Sequence, residues 1–393
     1  MNQQYDPFDR PVNGSQAPPQ NGQTPPGPNS YAYHQPGGYP PPGYGYPPYS
    51  APYAQRPPYS FQQATYFERE AQRRTAQRWQ KQELRRFGNC IGLAILAYFL
   101  LQLVFSSLLP IFGLKQAYQS SPVFQSCFNL LFISIGCVAL PFGVMALINR
   151  KRYTAPVFSV QRIGAGQMGL WVSFGMLCCV LANFVVTLGV IPLFKAFGYG
   201  LESNNSGSPD SVFACIIAMI GTAIVPAICE EFAMRCCSVQ LLRKYGNGFA
   251  VLSVSIVFGL LHGNVVQFVF AFLVGLTLGY ITVKTESVIP AILVHAINNG
   301  MSVVNSIVAF AATEEAANSV TVGMYLFWLI VGVAATVYLL VKKQLFSPKS
   351  NPAATDPNAL TFGQRMGAFF GTPGMVVSFI PLILLTLSTI KKL

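Results

Sequence analysis

Apolar residues arrive in long unbroken runs from about residue 89 onward, each closed by a short polar or basic stretch. Runs of this kind fall at about 89–112, 127–148, 167–191, 211–235, 249–268, 268–284, 288–311, 322–341 and 374–390. A helix crosses the roughly 30 Å hydrocarbon layer with about 20 apolar residues. The pattern therefore predicts an all-α, polytopic membrane helical bundle of about eight to nine transmembrane helices. The fifth and sixth runs abut, so the pattern does not fix their boundary. The last run is the weakest, because it ends in Lys391 and Lys392.

Before the runs, residues 1–66 show no apolar period and are rich in Pro, Tyr and Gly, as in GYPPPGYGYPPYSAPY. Such a segment buries too little apolar surface to offset its ordering entropy. It is expected to be a disordered cytoplasmic tail. Its Pro-Pro-Tyr triplets, such as Pro57-Pro58-Tyr59, suit an aromatic groove on a partner, whose identity is unknown, but an unspecific tail is the favoured reading. Residues 67–87, FEREAQRRTAQRWQKQELRRF, read as a basic juxtamembrane helix. The expected organisation is thus a tail (1–66), that basic helix (67–87) and a membrane bundle (88–393).

Composition strengthens this picture. Of 393 residues, 52% are hydrophobic and only 10% charged, with a mean hydropathy of +0.43. A soluble domain carries about 25% charged residues. The net charge of +12 is no nucleic-acid signal, because the Lys and Arg residues sit between the runs and before the first one. There they orient the chain by the positive-inside rule. Arg150, Lys151, Arg152 and Arg162, then Arg243 and Lys244, then Lys342, Lys343 and Lys349 all share the amino-terminal side if every run crosses. The loops around Lys115, around Glu202 and Asp210, and around Glu314 and Glu315 then fall opposite. The expected location is the cell membrane, multi-pass, with a cytoplasmic amino terminus and contact between residues 67–87 and anionic lipid. The opening MNQQYDPFDR lacks a basic start followed by an apolar core, so no cleavable signal peptide is expected. The nine cysteines have no C-x-x-C pair and read as packing.

Candidate chemistry comes from sorting ionisable residues by depth. Well inside the runs lie Glu230, Glu231, Arg235, His262 and His295, with Asn298 and Asn299 beside them. Charge at bilayer depth is costly, and such residues mark function by default. Glu231 and Arg235, four apart, share one helix face and form an expected ion pair. Glu230 then points about 100° away. Pro226 lies four residues before Glu230 and removes the donor that would close on the Thr222 carbonyl. His295 and Asn299 share one face, and Phe258 and His262 repeat the spacing on another helix.

Three helices can therefore aim Glu230, His262 and the His295/Asn299 pair at one point. A carboxylate and two imidazoles around a water suit amide hydrolysis, with the glutamate as general base. Asn299 and a histidine can donate to the developing oxyanion. Glu230, His262 and His295 also form an adequate ligand set for a divalent metal such as zinc. A proton- or ion-coupled transporter would use the same residue types, and a non-proteolytic immunity or scaffold protein is a third reading. Other intramembrane protease chemistries lack their residues: no His-Glu-x-x-His, no Gly-x-Ser-Gly in a run, and no aspartate inside one. A strict crossing scheme places Glu230 and His295 nearer the cytoplasmic side and His262 nearer the outside. Convergence then requires the fourth or fifth helix to be shifted, tilted or broken.

Glu230-Glu231-x-x-x-Arg235, then Phe258-x-x-x-His262, then His295-x-x-x-Asn299, in that order on successive helices, resembles the CPBP group, the CAAX-prenyl-protease-like and bacteriocin-processing intramembrane proteases also called the Abi family. The resemblance covers about residues 211–305. It implies an intramembrane endopeptidase of the type II CAAX kind, acting on a membrane-associated peptide or protein. Carried over, Glu230 activates water with His262. His295 and Asn299 stabilise the oxyanion or help bind a metal. Glu231 and Arg235 fix the geometry, and Phe258 supports it.

Overall fold

The computed structural model describes residues 61–202, 209–346, 356 and 358–393. The Pro/Tyr-rich part of the tail up to residue 60, with its Pro57-Pro58-Tyr59 triplet, lies outside them. The basic segment and the first span form one uninterrupted helix, α1 (Phe61–Ile111), of 51 residues, about 76 Å long at 1.5 Å per residue. Arg69, Arg73, Arg74, Arg78, Lys81, Arg85 and Arg86 are all exposed on it. Burial starts at Leu84 and continues at Phe87, Ile91 and Ile95, the three-to-four spacing of a helix stripe against a core.

The bundle continues with the short α2 (Lys115–Ser120) and α3 (Pro122–Ile148), then α4 (Ala165–Ala196) and α5 (Val212–Tyr245). Next come α6 (Asn247–Leu260), α7 (Val265–Thr285), α8 (Ile289–Ala311) and α9 (Glu314–Val341). The chain closes with α10 (Phe362–Phe370) and α11 (Pro373–Ser388), bent against each other by 75°. Hydroxyl caps open several of these: Ser121, Ser211, Thr313 and Thr372 each accept a backbone N–H of the first turn. Among the described residues seven helices are long and apolar enough to cross a membrane, or eight if α10 and α11 count as one span. The protein is a multi-pass membrane protein.

The run expected over 249–268 divides differently from the sequence pattern. Its helix, α6, has only 14 residues, about 21 Å, well short of a 30 Å crossing. The polar triplet His262-Gly263-Asn264 interrupts the apolar run. Gly263 takes φ +66°, a left-handed conformation that costs glycine little. Asn264 Oδ1 then accepts Gln267 N at 2.8 Å and starts α7, which takes over most of the residues beyond. Two glycines let α7 fold back tightly on α6: a Cβ on Gly275 would lie 3.2 Å from Ser255, and one on Gly279 2.9 Å from Val251.

Contacts at the helix ends define two faces. On one, Arg243 grips Glu286 with two bonds of 2.7 Å. Glu83 on α1 takes Lys244 at 2.8 Å, Tyr245 at 2.5 Å and Arg152 at 3.2 Å, and Val288 N reaches Ser159 O at 2.8 Å. The ends of α3, α5 and α7 and the starts of α4, α6 and α8 therefore gather on this basic face. On the opposite face the strand β1 (Tyr199–Leu201) pairs antiparallel with β2 (Ile390–Lys392). There Val265 N also reaches Thr389 Oγ1 at 3.4 Å, and Asn305 bonds Thr321 at 2.8 Å.

A close backbone approach packs α11 on α1, where a Cβ on Gly92 would come within 2.3 Å of the Gly374 carbonyl carbon. Backbone cannot yield as a flexible side chain can. Gly92→Ala should therefore lower the thermal midpoint in detergent, costing about 1–3 kcal/mol as for other overpacked contacts. Gly166→Ala, at a position with nothing within 4 Å, should leave the midpoint unchanged.

Candidate active site

Around the expected centre, α5 departs from regular α geometry. Wide i→i+5 turns at Met219–Ile224 and Phe232–Val239 flank the α-helical turns Val225–Glu231. Such π-type stretches concentrate at functional sites. Pro226 has no N–H to offer Thr222, and the Thr222 carbonyl instead receives Asn299 Nδ2 from α8 at 3.4 Å.

Glu231 and Arg235 form the ion pair that their spacing predicts. Arg235 Nη1 meets Glu231 Oε1 at 2.8 Å, with the two side chains 1% and 0% exposed. The guanidinium does more than neutralise. Its Nη2 donates to the Gly275 carbonyl on α7 at 3.3 Å, and its Cζ lies 4.8 Å from the Phe258 ring centre on α6. Glu231 Oε1 also takes His295 Nδ1 at 2.8 Å. An ionised carboxylate only accepts, so Nδ1 carries the proton in this bond. His295 Nε2 is then turned toward Glu230, 3.8 Å from its Oε2. That oxygen is buried and has no hydrogen-bond partner among the described residues.

His262 is held by local backbone. Its Nδ1 lies 2.8 Å from the Phe258 carbonyl oxygen. A carbonyl can only accept, which places the proton on Nδ1 and leaves Nε2 as an acceptor in the neutral ring. The Phe258 ring stands edge-on to both imidazoles, with centroids 4.9 Å from His262 and 5.9 Å from His295. The four-residue spacings thus place Glu230, Glu231, Arg235, Phe258, His262 and His295 in one connected group, with Asn299 one helix turn beyond His295.

Two cavities meet at His262. A smaller one of about 280 Å³ has Glu230, Phe258, Met234 and His262 in its wall. A larger one of about 770 Å³ has His262, Thr222, Asn298 and Asn299 in its wall. The smaller cavity also takes Tyr98, Phe99 and Gln102 from α1, and Leu382, Leu385 and Thr389 from the end of α11 and just beyond. Tyr98 Oη donates to the Leu261 carbonyl at 3.4 Å, in the break that carries His262. Sorting only ionisable residues passes over these contributions. The uncharged polar residues Tyr98, Gln102, Asn183 and Asn305 inside apolar runs are the signal that could have found them.

The donor set offered for zinc is not gathered as a metal site. Among the described residues no three His, Cys, Asp or Glu side chains stand close enough to share an ion. No step is therefore routed through a metal. Nδ1 of each histidine is engaged, by Glu231 and by the Phe258 carbonyl, which leaves Nε2 of each as the nitrogen open to a ligand. Cys229, Cys236 and Cys237 are buried and free, as packing residues would be.

A family model described as type II CAAX prenyl endopeptidase Rce1-like matches residues 212–301. That stretch runs from the start of α5 past Asn299 on α8 and includes every residue of the connected group, so this part of the chain is similar to an intramembrane CAAX-type protease family. No curated protein and no solved structure matches the chain.

Removing Arg235 strands a buried carboxylate. Arg235→Met should lower stability in detergent by about 3–5 kcal/mol, the cost of breaking a buried pair. Arg235→Lys, which keeps the charge but not the fork that reaches both Glu231 and Gly275, should fall between. Chemical denaturation followed by tryptophan fluorescence checks both.

Proposed function

We propose that the chain is an intramembrane endopeptidase that hydrolyses a peptide bond of a membrane-associated peptide or protein. One observation carries this reading: Glu230, with a buried oxygen that lacks a partner, shares a cavity wall with His262, whose Nε2 is left as an acceptor. A water between them has a base on either side.

In the proposed reaction Glu230 takes the water proton, oriented by His262 Nε2, and the water oxygen attacks the scissile carbonyl carbon. The carbonyl oxygen becomes an oxyanion, and Asn299 Nδ2 supplies a donor for it. Thr222, which accepts from that amide at 3.4 Å, is a weak enough partner to be exchanged for substrate. Glu230 then returns the proton to the departing amine as the C–N bond breaks. Glu231 holds His295 by Nδ1, and Arg235 holds Glu231, so these act by positioning. The concentration of Lys and Arg on the basic face supports a cytoplasmic amino terminus.

Glu230→Gln and His262→Ala should each reduce cleavage of a peptide substrate by about 10²–10⁴-fold, the usual contribution of a general base, while the protein inserts and melts as before. Full activity in either variant sinks the reading. Asn299→Ala should lower kcat more than it changes KM, because an oxyanion donor acts in the transition state.

A further inference from the structure

Both cavities lie toward one face of the bundle. The larger one is bounded by residues at particular helix ends: Pro209 just before α5, Gln267 in the first turn of α7, Asn305 and Ser306 in the last turns of α8, and Thr321 early in α9. All of these ends lie opposite the basic face. Val265, at the start of α7, touches Thr389 beside the β1–β2 pair, and Asn305 bonds Thr321. The far ends of the same helices are pinned to the basic face through Arg243–Glu286 and Val288–Ser159. The smaller cavity follows the same direction, since its α11 wall is Leu382 and Leu385, beside Thr389.

Glu230 lies near the middle of α5, 15 residues from its end at Tyr245 and 18 from its start at Val212, about 22 and 27 Å at 1.5 Å per residue, so packing rather than depth closes it from the basic face. Below it, on the basic-face side, α5 presents Val239, Leu241 and Leu242, all 1% exposed or less.

Charge tells the two faces apart. The cavity-side loops and ends carry Lys115, Lys195, Lys391 and Lys392 with Glu202, Asp210, Glu314 and Glu315. The other face carries the α1 arginines together with Arg150, Lys151, Arg152, Arg162, Arg243, Lys244, Lys342 and Lys343. An excess of Lys and Arg in short loops marks the cytoplasmic side.

From these observations we infer that the site is loaded from the extracytoplasmic face, and that its substrate is a peptide segment presented on that side of the membrane. This rests on the hydrolytic reading of Glu230 and His262. The larger cavity also narrows the segment's chemistry. Among its described lining residues are Asn, Gln, Ser, Thr and Tyr side chains but no Asp, Glu, Lys or Arg. A charged side chain would find no counter-ion there, whereas main-chain amides and uncharged polar side chains find partners.

Cysteine accessibility in the full-length protein tests this. Ser302→Cys and Ser306→Cys place a thiol on the wall of the larger cavity. Arg150→Cys places one on the basic face. Each is exposed to a charged, membrane-impermeant thiol reagent in right-side-out cells and in inverted membrane vesicles. The nine native cysteines set the background in the parent protein. Ser302→Cys should label above that background in cells, and Arg150→Cys only in inverted vesicles. Ser306→Cys serves as the second cavity position if Ser302→Cys fails to insert. Labelling of the cavity thiol only in inverted vesicles, or from neither side, overturns the inference. The reagent reports access without cleavage, so a Glu230→Gln variant that still cleaves removes the hydrolytic reading and leaves the open face determined.

Discussion

A carboxylate and a guanidinium buried in apolar surroundings must satisfy each other, and the centre of this bundle is arranged around that requirement. Glu231 and Arg235 are within 1% of complete burial, where an unpaired charge costs several kcal/mol. Their partners come from three other helices. Gly275 of α7 offers a carbonyl, Phe258 of α6 a ring face, and His295 of α8 an imidazole N–H. The pair thereby fixes four helices against one another, and fixes the orientation of the ring that faces Glu230. Glu230, the neighbouring carboxylate, has no such network and keeps an unpaired oxygen. Adjacent carboxylates have been given different environments: Glu231 is tied through one oxygen to Arg235 and His295, whereas Glu230 stands in a cavity wall.

The second constraint is geometric. His262 reaches Glu230's cavity because α6 ends early, at a glycine with positive φ and a capping asparagine. A continuous α6 would place residue 262 on the side of a regular helix, with its backbone carbonyls closed into the ladder. The break instead lets the Phe258 carbonyl face His262 Nδ1, which sets the tautomer. Tyr98 leans on the same turn from α1, so a helix outside the family match also supports it.

The features that the sequence made plain are those governed by helical period. Apolar length announced a multi-span α-helical protein, and i,i+4 spacing announced the Glu231–Arg235 pair. Pro226 announced an altered Thr222 carbonyl, although not that Asn299 would be the group to meet it. The boundary between the fifth and sixth runs was harder, because Val265, Val266 and Phe268 are as apolar as what precedes them. Only Gly263 and Asn264 mark the turn, and their effect depends on backbone conformation rather than hydropathy. The conflict in depth between Glu230, His262 and His295 was itself the signal that the fourth or fifth helix must be shifted, tilted or broken. The roles of α1 and α11 in lining the smaller cavity were not legible, since Leu382 and Leu385 are ordinary apolar residues whose neighbours are set by tertiary packing.

The shortness of α6 has a further consequence. A helix of about 21 Å falls short of a hydrocarbon layer of about 30 Å, and here protein meets the shortfall: Gly263 at its end packs against Leu385 of α11, and the Leu261 carbonyl takes Tyr98 of α1. The end that falls short is also where both cavities adjoin, at His262. A span that stops early thus brings a polar turn and empty volume to a level where the neighbouring helices run on unbroken.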